Sequence, residues 1–368
     1  MKKFLLVLSL TVCATFLFSC GKQKEENLSG NTQNAGNTKD DDVNSEDETK
    51  EELQNEIRKI SDYFPFLSDT KYIYEGEGNE YASYYLVTDY IDDNRIQQRS
   101  NNSGTETVKI IENKDGNLNL LLAQGETYYR ENLLKVSNDN PEILLKEPLK
   151  EGTQWTLSDN RKRYISKEDV TVDTPTGTYK ALEVATQGDN DIIYDYYAPG
   201  VGLVKSVFRS EGLEVTSVLS KIEKNVPFTQ TVRFYFPDVA NDKIYYVNRD
   251  LNFNTNDITK SIFEKNYKEF SEDNFDKVFG PNVKIKSLYL NKDNKVYVDF
   301  SKELESEMNA GSGYEAMILQ CITNTLGGYY GVQDVYITVE GEPYSSGHIV
   351  MEKGESFTVD YNNTIEYK

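Results

Sequence analysis

Histidine is almost missing: His348 is the only one in 368 residues. That excludes a multi-histidine metal centre and any nucleophilic triad needing a second imidazole. Cysteine is scarce too, with Cys13, Cys20 and Cys321. The first two fall in an N-terminal apolar segment, leaving the folded portion one thiol and no intrachain disulfide. Positive charge is short, 40 Lys and Arg against 61 Asp and Glu, for a net charge of -21. Such a balance argues against nucleic acid or an anionic membrane surface as partner. There is no phosphate-binding loop, because Gly200 and Gly202 in "APGVGLVK" lack a following Lys-Ser or Lys-Thr pair. Nor is there a calcium loop with its terminal glutamate, so "NKDGNLNL" and "GDNDIIYD" read as hairpin turns. No cofactor or metal is expected.

Long hydrophobic runs occur once. Lys2 and Lys3 precede an apolar stretch from Phe4 to Phe18, too short for a comfortable membrane span and shaped like an export signal. It ends in Leu17-Phe18-Ser19-Cys20-Gly21. This stretch resembles a bacterial lipoprotein signal, matching at Leu17, Ser19 and Cys20, with Phe18 where a smaller residue is usual. The resemblance implies that residues 1–19 are removed by a peptidase reading Leu17, Ser19 and Cys20. Cys20 would then carry acyl chains, and membrane lipid at that residue would hold the protein on the extracytoplasmic face. Cys13 lies inside the apolar run and fits the cut poorly. Residues 20–56 read as a tether. From Lys22 to Glu56 eleven acidic residues stand against four lysines, with Asn, Gly, Ser and Thr between.

Residues 57–224 alternate strand patterns such as "YASYYLVTDYI", "NLNLLLAQ" and "GLVKSVFRS" with turn cues such as "NKDGN", "DTPTG" and "APGVG". They predict an antiparallel meander curled into a sandwich or partial barrel. Adjacent tyrosines in "SYYLVTDY" and "IIYDYYAPG" must face opposite sides of a strand. Tyrosine is a good strand former, and its rings would also suit a glycan-binding platform. Trp155 reads as a packing aromatic.

At Pro227 the texture changes, and residues 225–368 predict the order β-β-α-β-β-α-β. Ile258, Ile262, Phe263 and Phe270 mark a first helix with Asn256 or Asp257 as cap. Val296, Val298 and Phe300 share one strand face, with Tyr297 and Asp299 on the other. Ile318, Leu319, Ile322 and Leu326 stripe a second helix, for which Gly327 and Gly328 supply a stop. The phrases "VRFYFPD", "VKIKSLYLNKDNKVYVDFSKEL" and "GSGYEAMILQCITNTLGGYYGVQDVYITVEG", with a closing "GH", run in order from about Val232 to His348. This segment is similar to the sporulation and spore germination (GerMN) domain. The resemblance implies an envelope assembly role in the context of sporulation or germination, with no catalytic set. At "LGGYYGVQDV" the chain departs from the usual polar link, so Tyr329 and Tyr330 become candidate contact-surface residues. The expected fold class is α+β: a β-rich meander or partial barrel, then a small mixed α/β domain with two helices on a sheet.

Ser345 or Ser346 beside His348 lacks a nucleophile-elbow phrase, and no carboxylate pair is singled out for sugar cleavage. Cys321, beside an apolar stripe, reads as core. The sequence therefore points to a noncatalytic, membrane-tethered envelope lipoprotein. Its expected partners are membrane lipid, another envelope protein, a second copy or peptidoglycan, and not nucleic acid. The alternatives are a carboxylate-dependent cell-wall glycan hydrolase and a noncatalytic carbohydrate-binding protein.

Overall fold

A computed structural model of the chain describes residues 58–270 and 275–367. A short helix, α1 (Ile60–Tyr63), precedes twelve strands. These are β1 (Thr70–Glu77), β2 (Tyr84–Ile91), β3 (Arg95–Asn101), β4 (Glu106–Lys114), β5 (Asn117–Gln124) and β6 (Glu142–Lys146). Then follow β7 (Gln154–Thr156), β8 (Lys162–Thr174), β9 (Gly177–Gln187), β10 (Asp191–Ala198), β11 (Gly202–Ser210) and β12 (Leu213–Lys224). They form one sheet in the order 6-5-4-3-2-1-12-11-10-9-8-7, and every neighbour is antiparallel. The turn cues sit where expected; Asp115 and Gly116, both at positive φ, join β4 to β5.

The two edge strands, β6 and β7, are consecutive in the chain, and side chains draw them together. The Trp155 indole N–H and Arg163 Nη1 donate to the Ile143 carbonyl at 2.9 and 2.8 Å. Arg163 Nη2 meets Glu142 at 2.7 Å. The sheet is thus a near-barrel whose open seam is closed by an indole and a guanidinium, which satisfy an edge carbonyl. Its core takes Ile60 and Tyr63 of α1 together with Leu118, Leu145, Trp155 and Tyr197. Lys109 on β4 and Asp195 on β10 come from opposite walls. Burial lowers the lysine's pKa and raises that of the carboxyl, which accepts a 2.7 Å hydrogen bond from Ser206.

The C-terminal strands divide between two sheets rather than one. β13 (Phe228–Asp238) and β14 (Lys243–Phe253) form a hairpin, later joined by β20 (Thr364–Glu366). Between them in sequence come α2 (Thr259–Glu269), β15 (Ile285–Leu290), β16 (Val296–Phe300), the short α3 (Glu303–Ser306), α4 (Ser312–Tyr330) and β17 (Asp334–Val339). β18 (Glu342–Pro343) and β19 (Phe357–Thr358) both pair with β17, completing the second sheet, in which β16 and β17 run parallel. The expected element order therefore holds through β17, with α3 and a 3-10 turn at Val239–Asn241 inserted and three short strands, β18 to β20, added after it. The helices are shared: Phe234 and Phe236 of β13, Phe263 and Tyr267 of α2, Ile322 and Leu326 of α4, and Val298 and Ile337 of the second sheet belong to one core.

Two local expectations are corrected. α2 begins after Ile258 without a side-chain cap, because Asn256 and Asp257 are engaged elsewhere. Asn256 accepts from Ile91 N at 2.9 Å, and Asp257 accepts from Asn254 N at 2.8 Å. The buried stripe of α2 is Thr259, Phe263 and Tyr267, while Ile258 is exposed. α4 does not stop at Gly327 and Gly328; it continues to Tyr330 and ends on Gly331 at φ 70°. Gly327 is instead a packing residue. A Cβ there would lie 2.3 Å from Val359 Cγ2 and 2.9 Å from the Val332 carbonyl oxygen.

The near-barrel and the C-terminal elements meet across a buried ion cluster. Asp89, Arg99 and Arg130 are each at most 1 % exposed. Arg99 Nη2 lies 3.0 Å from Asp89, and its Nη1 lies 2.8 Å from Glu106. Nη1 and Nη2 also donate to the carbonyls of Thr127 and Tyr129, and Nε donates to Asp89 Oδ1 at 3.4 Å. These anions hold the Arg99 pKa above its ordinary value against the cost of burial. Arg130 donates to the carbonyls of Asp89, Asn254 and Asp257 and to the Tyr90 hydroxyl. Alongside, Asp69 and Thr255 exchange hydrogen bonds of 2.7 and 2.8 Å. Removing the shared anion leaves buried Arg130 with no carboxylate and Arg99 with Glu106 alone. Asp89→Ala should therefore cost about 3–5 kcal/mol, read as a lower denaturant midpoint, whereas exposed Asp173→Ala should change it by less than about 0.5 kcal/mol; equal midpoints would contradict this account.

Candidate functional site

α4 enters through Gly311, and buried Glu315 in its first turn meets the loop after β18. The Tyr344 hydroxyl donates to Glu315 Oε1 at 2.9 Å, and the Ser346 hydroxyl donates to the same oxygen. His348 Nδ1 stands 2.7 Å from Oε2. Burial pushes the Glu315 pKa up, but the hydrogen bonds from Ser346, His348 and Tyr344 outweigh it and hold the carboxyl below its usual range. The helix N-terminus favours the same charge.

The sequence-suggested neighbours Ser346 and His348 are thus brought together, but in the wrong order for nucleophilic catalysis. A triad needs the imidazole between hydroxyl and acid, so that it can take the hydroxyl proton. Here the acid lies between them and the hydroxyl proton points at a carboxylate. Ser346 Oγ also accepts from the backbone N–H groups of His348 and Ile349, each at 3.0 Å. The cluster pins a loop to a helix. Sequence reasoning missed Glu315 as its centre, because the partners lie about 30 positions away on another element.

Tyr329 and Tyr330 lie on the last turn of α4, not in a link. The Tyr329 hydroxyl accepts from Arg130 N at 2.8 Å and donates to Gln230 at 3.0 Å. Tyr330 is buried, its ring centroid 5.0 Å from that of Tyr129. Their contacts are made inside the chain, where α4 meets the loop after β5. Leu17, Ser19 and Cys20 lie outside the described residues. Cys321 is fully buried and its thiol pKa is pushed up by that burial. Among the described residues no group of three or more His, Cys, Asp or Glu side chains converges as for a metal ion, and no helix is long and apolar enough to cross a membrane.

One face of the β15–β18 sheet is left open by the helices. Tyr289, Tyr297 and Tyr336 stand there in one row and Ser287, Asp299 and Thr338 in the next, around a depression of about 270 Å³. Tyr297 and Asp299 are the outward pair expected from alternation; the same period in β15 and β17 supplies the others.

This fold, two helices on small sheets beside a large near-barrel, is accompanied by a family match. Residues 233–345 match the family described as "Germane: Sporulation and spore germination". Among solved structures, the chain is similar to the tandem GerMN domains of the sporulation protein GerM from Bacillus subtilis, at 18% identity and a TM-score of 0.27. That match covers 35% of this chain, which spans 46% of the GerM structure. The first GerMN domain of the same protein matches at 22% identity, covering 32% of this chain and 86% of its own, with a TM-score of 0.25. An exported protein of YmcC-like fold from Bacteroides fragilis matches at 15% identity, covering 44% of this chain and 99% of its own, with a TM-score of 0.27. Likeness at these scores brings no activity over. No curated protein matches the chain.

The carboxylate's lowered pKa means that its stabilising effect is present above the ordinary glutamate range and is lost as pH falls through the folded value. Glu315→Gln should therefore lower stability at pH 7 by about 1–3 kcal/mol. In melts at falling pH the deficit should narrow below about pH 4; a deficit independent of pH would show that the charge contributes nothing. Peptide mapping after treatment with a thiol reagent should find Cys321 unlabelled in the folded chain and labelled in denaturant. Prompt labelling of the native protein would refute its burial.

Proposed function

We propose that the protein is a noncatalytic envelope lipoprotein, held to the membrane through lipid on Cys20 and presenting its folded body as a binding and assembly module in the setting of sporulation or germination. The match of residues 233–345 to the sporulation and spore germination family carries this reading. The chemistry of the buried polar clusters supports it. Ser346, His348 and Glu315 are committed to holding a loop, and Asp89 and Glu106 are both taken by Arg99. The stretch before Arg58, with eleven acidic residues against four lysines from Lys22 to Glu56, has the composition of a tether. Partner classes that suit such a body are another envelope protein, a second copy of the chain, or the cell wall.

Intact-mass measurement of the protein from membranes should find a chain starting at Cys20 with added acyl mass, and Cys20→Ser should abolish that product. Photo-crosslinking from surface positions in whole cells should capture an envelope component. An unprocessed chain still carrying Met1, protected from external protease in wall-stripped cells, would overturn the reading.

A further inference from the structure

The open face of the β15–β18 sheet carries two cross-strand rungs of different chemistry. In the aromatic rung Tyr289 pairs in register with Tyr297, and Tyr297 with Tyr336, with ring centroids 5.6 and 5.0 Å apart. In the polar rung Ser287 pairs with Asp299, and Asp299 with Thr338. The depression of about 270 Å³ lies over both, near the lower end of small-ligand pockets and open along the sheet. Among the described residues, the hydroxyls of Ser287, Tyr289 and Tyr336 make no hydrogen bond within the chain.

Charge complementarity selects the occupant. Asp299 Oδ1 accepts from Thr338 Oγ1 at 2.7 Å and from Gly341 N at 2.8 Å. Its Oδ2 lies 3.7 Å from the Lys286 ammonium, which also meets Glu340 at 2.8 Å. The floor therefore offers no spare cation to an anion, and its carboxylate already has a cation. A protein partner would want an apolar centre, but the one aliphatic lining residue, Val298, is 1 % exposed. What remains is a row of three rings, the planes of Tyr289 and Tyr297 21° apart and those of Tyr297 and Tyr336 58° apart, beside the unpaired hydroxyls of Ser287, Tyr289 and Tyr336; this suits a pyranose, whose C–H face packs on an aromatic ring while its hydroxyls exchange hydrogen bonds at the edge.

We propose that this face binds a neutral stretch of glycan, one sugar seated in the depression and its neighbours running along the tyrosine row. The proposal deepens the reading above by naming the envelope component, and it rests on that reading for where the glycan is met. Peptidoglycan strands and a secondary wall polysaccharide share the chemistry, so both are tested. The full-length protein in detergent is sedimented with sacculi freed of attached polymers and, separately, titrated with the polysaccharide released from the same walls. Saturable binding in either arm is expected, and the arm that binds identifies the source. Tyr289→Ala with Tyr336→Ala should weaken it by about tenfold or more for the loss of two ring contacts, while the corresponding Phe pair, which keeps the rings, should lose less. Melting curves check folding; should the double variant melt early, Tyr289→Ala alone, at the most exposed ring, takes its place. Absence of binding in both arms, binding unchanged in the Ala variant, or cross-linking of this face to a protein instead would each overturn the site. Lipid on Cys20 and protease access are read on other samples, so an anchored chain that binds no glycan sinks this site alone.

Discussion

The Asp89 carboxylate is the point on which the arrangement of the folded body depends. It sits on β2, out of water, between Arg99 of β3 and Arg130 of the loop that follows β5. With Glu106 on the far side of Arg99, two anions and two cations are buried, which is costly unless nearly every donor finds an acceptor. Here the guanidinium groups spend their donors on main-chain carbonyls from three segments: Thr127 and Tyr129 on the loop, Asp89 on the near-barrel, and Asn254 and Asp257 at the turn into α2. Arg130 Nε alone has no hydrogen-bond partner, its contact with Asp89 at 3.6 Å being ionic. The two arginines thus act as cross-links that define which loop meets which strand.

That joint orders the use of every reactive-looking group nearby. Once Arg130 holds the turn before α2, Asn256 is drawn to Ile91 and is lost to the helix as a cap. Tyr329, half-buried, accepts a hydrogen bond from the Arg130 amide at its hydroxyl. Farther along, Glu315 takes up Ser346 and His348, and Cys321 is sealed in the core shared by both small sheets. Polar groups that a sequence reader would test for chemistry are engaged in holding loops. Unpaired hydroxyls remain on the aromatic face of the β15–β18 sheet, where helices cover only the opposite side.

Strands and turns were legible because their causes are local. Alternation in "KVYVDF" places Val296, Val298 and Phe300 inward and Tyr297 and Asp299 outward, as found. Asp-Gly in "NKDGN" demands a left-handed turn and receives one. Gly327 and Gly328 misled because glycine has two uses, ending a helix and admitting a close neighbour, and only the neighbour tells them apart. Here it is Val359, brought in from beyond the end of the sheet.

What can be read from the residues alone is the period of the strands and of α4, the order of the principal elements, and the poverty in imidazole and thiol that rules out whole classes of chemistry. These depend on residues a few positions apart or on simple counts. Only the tertiary structure decided that the meander closes through Trp155 and Arg163, that Asp89 joins the two bodies, and that Glu315 lies between Ser346 and His348. Those pairings link residues remote in the chain, where no local periodicity records the contact and only the packed fold brings opposite charges and donors within reach.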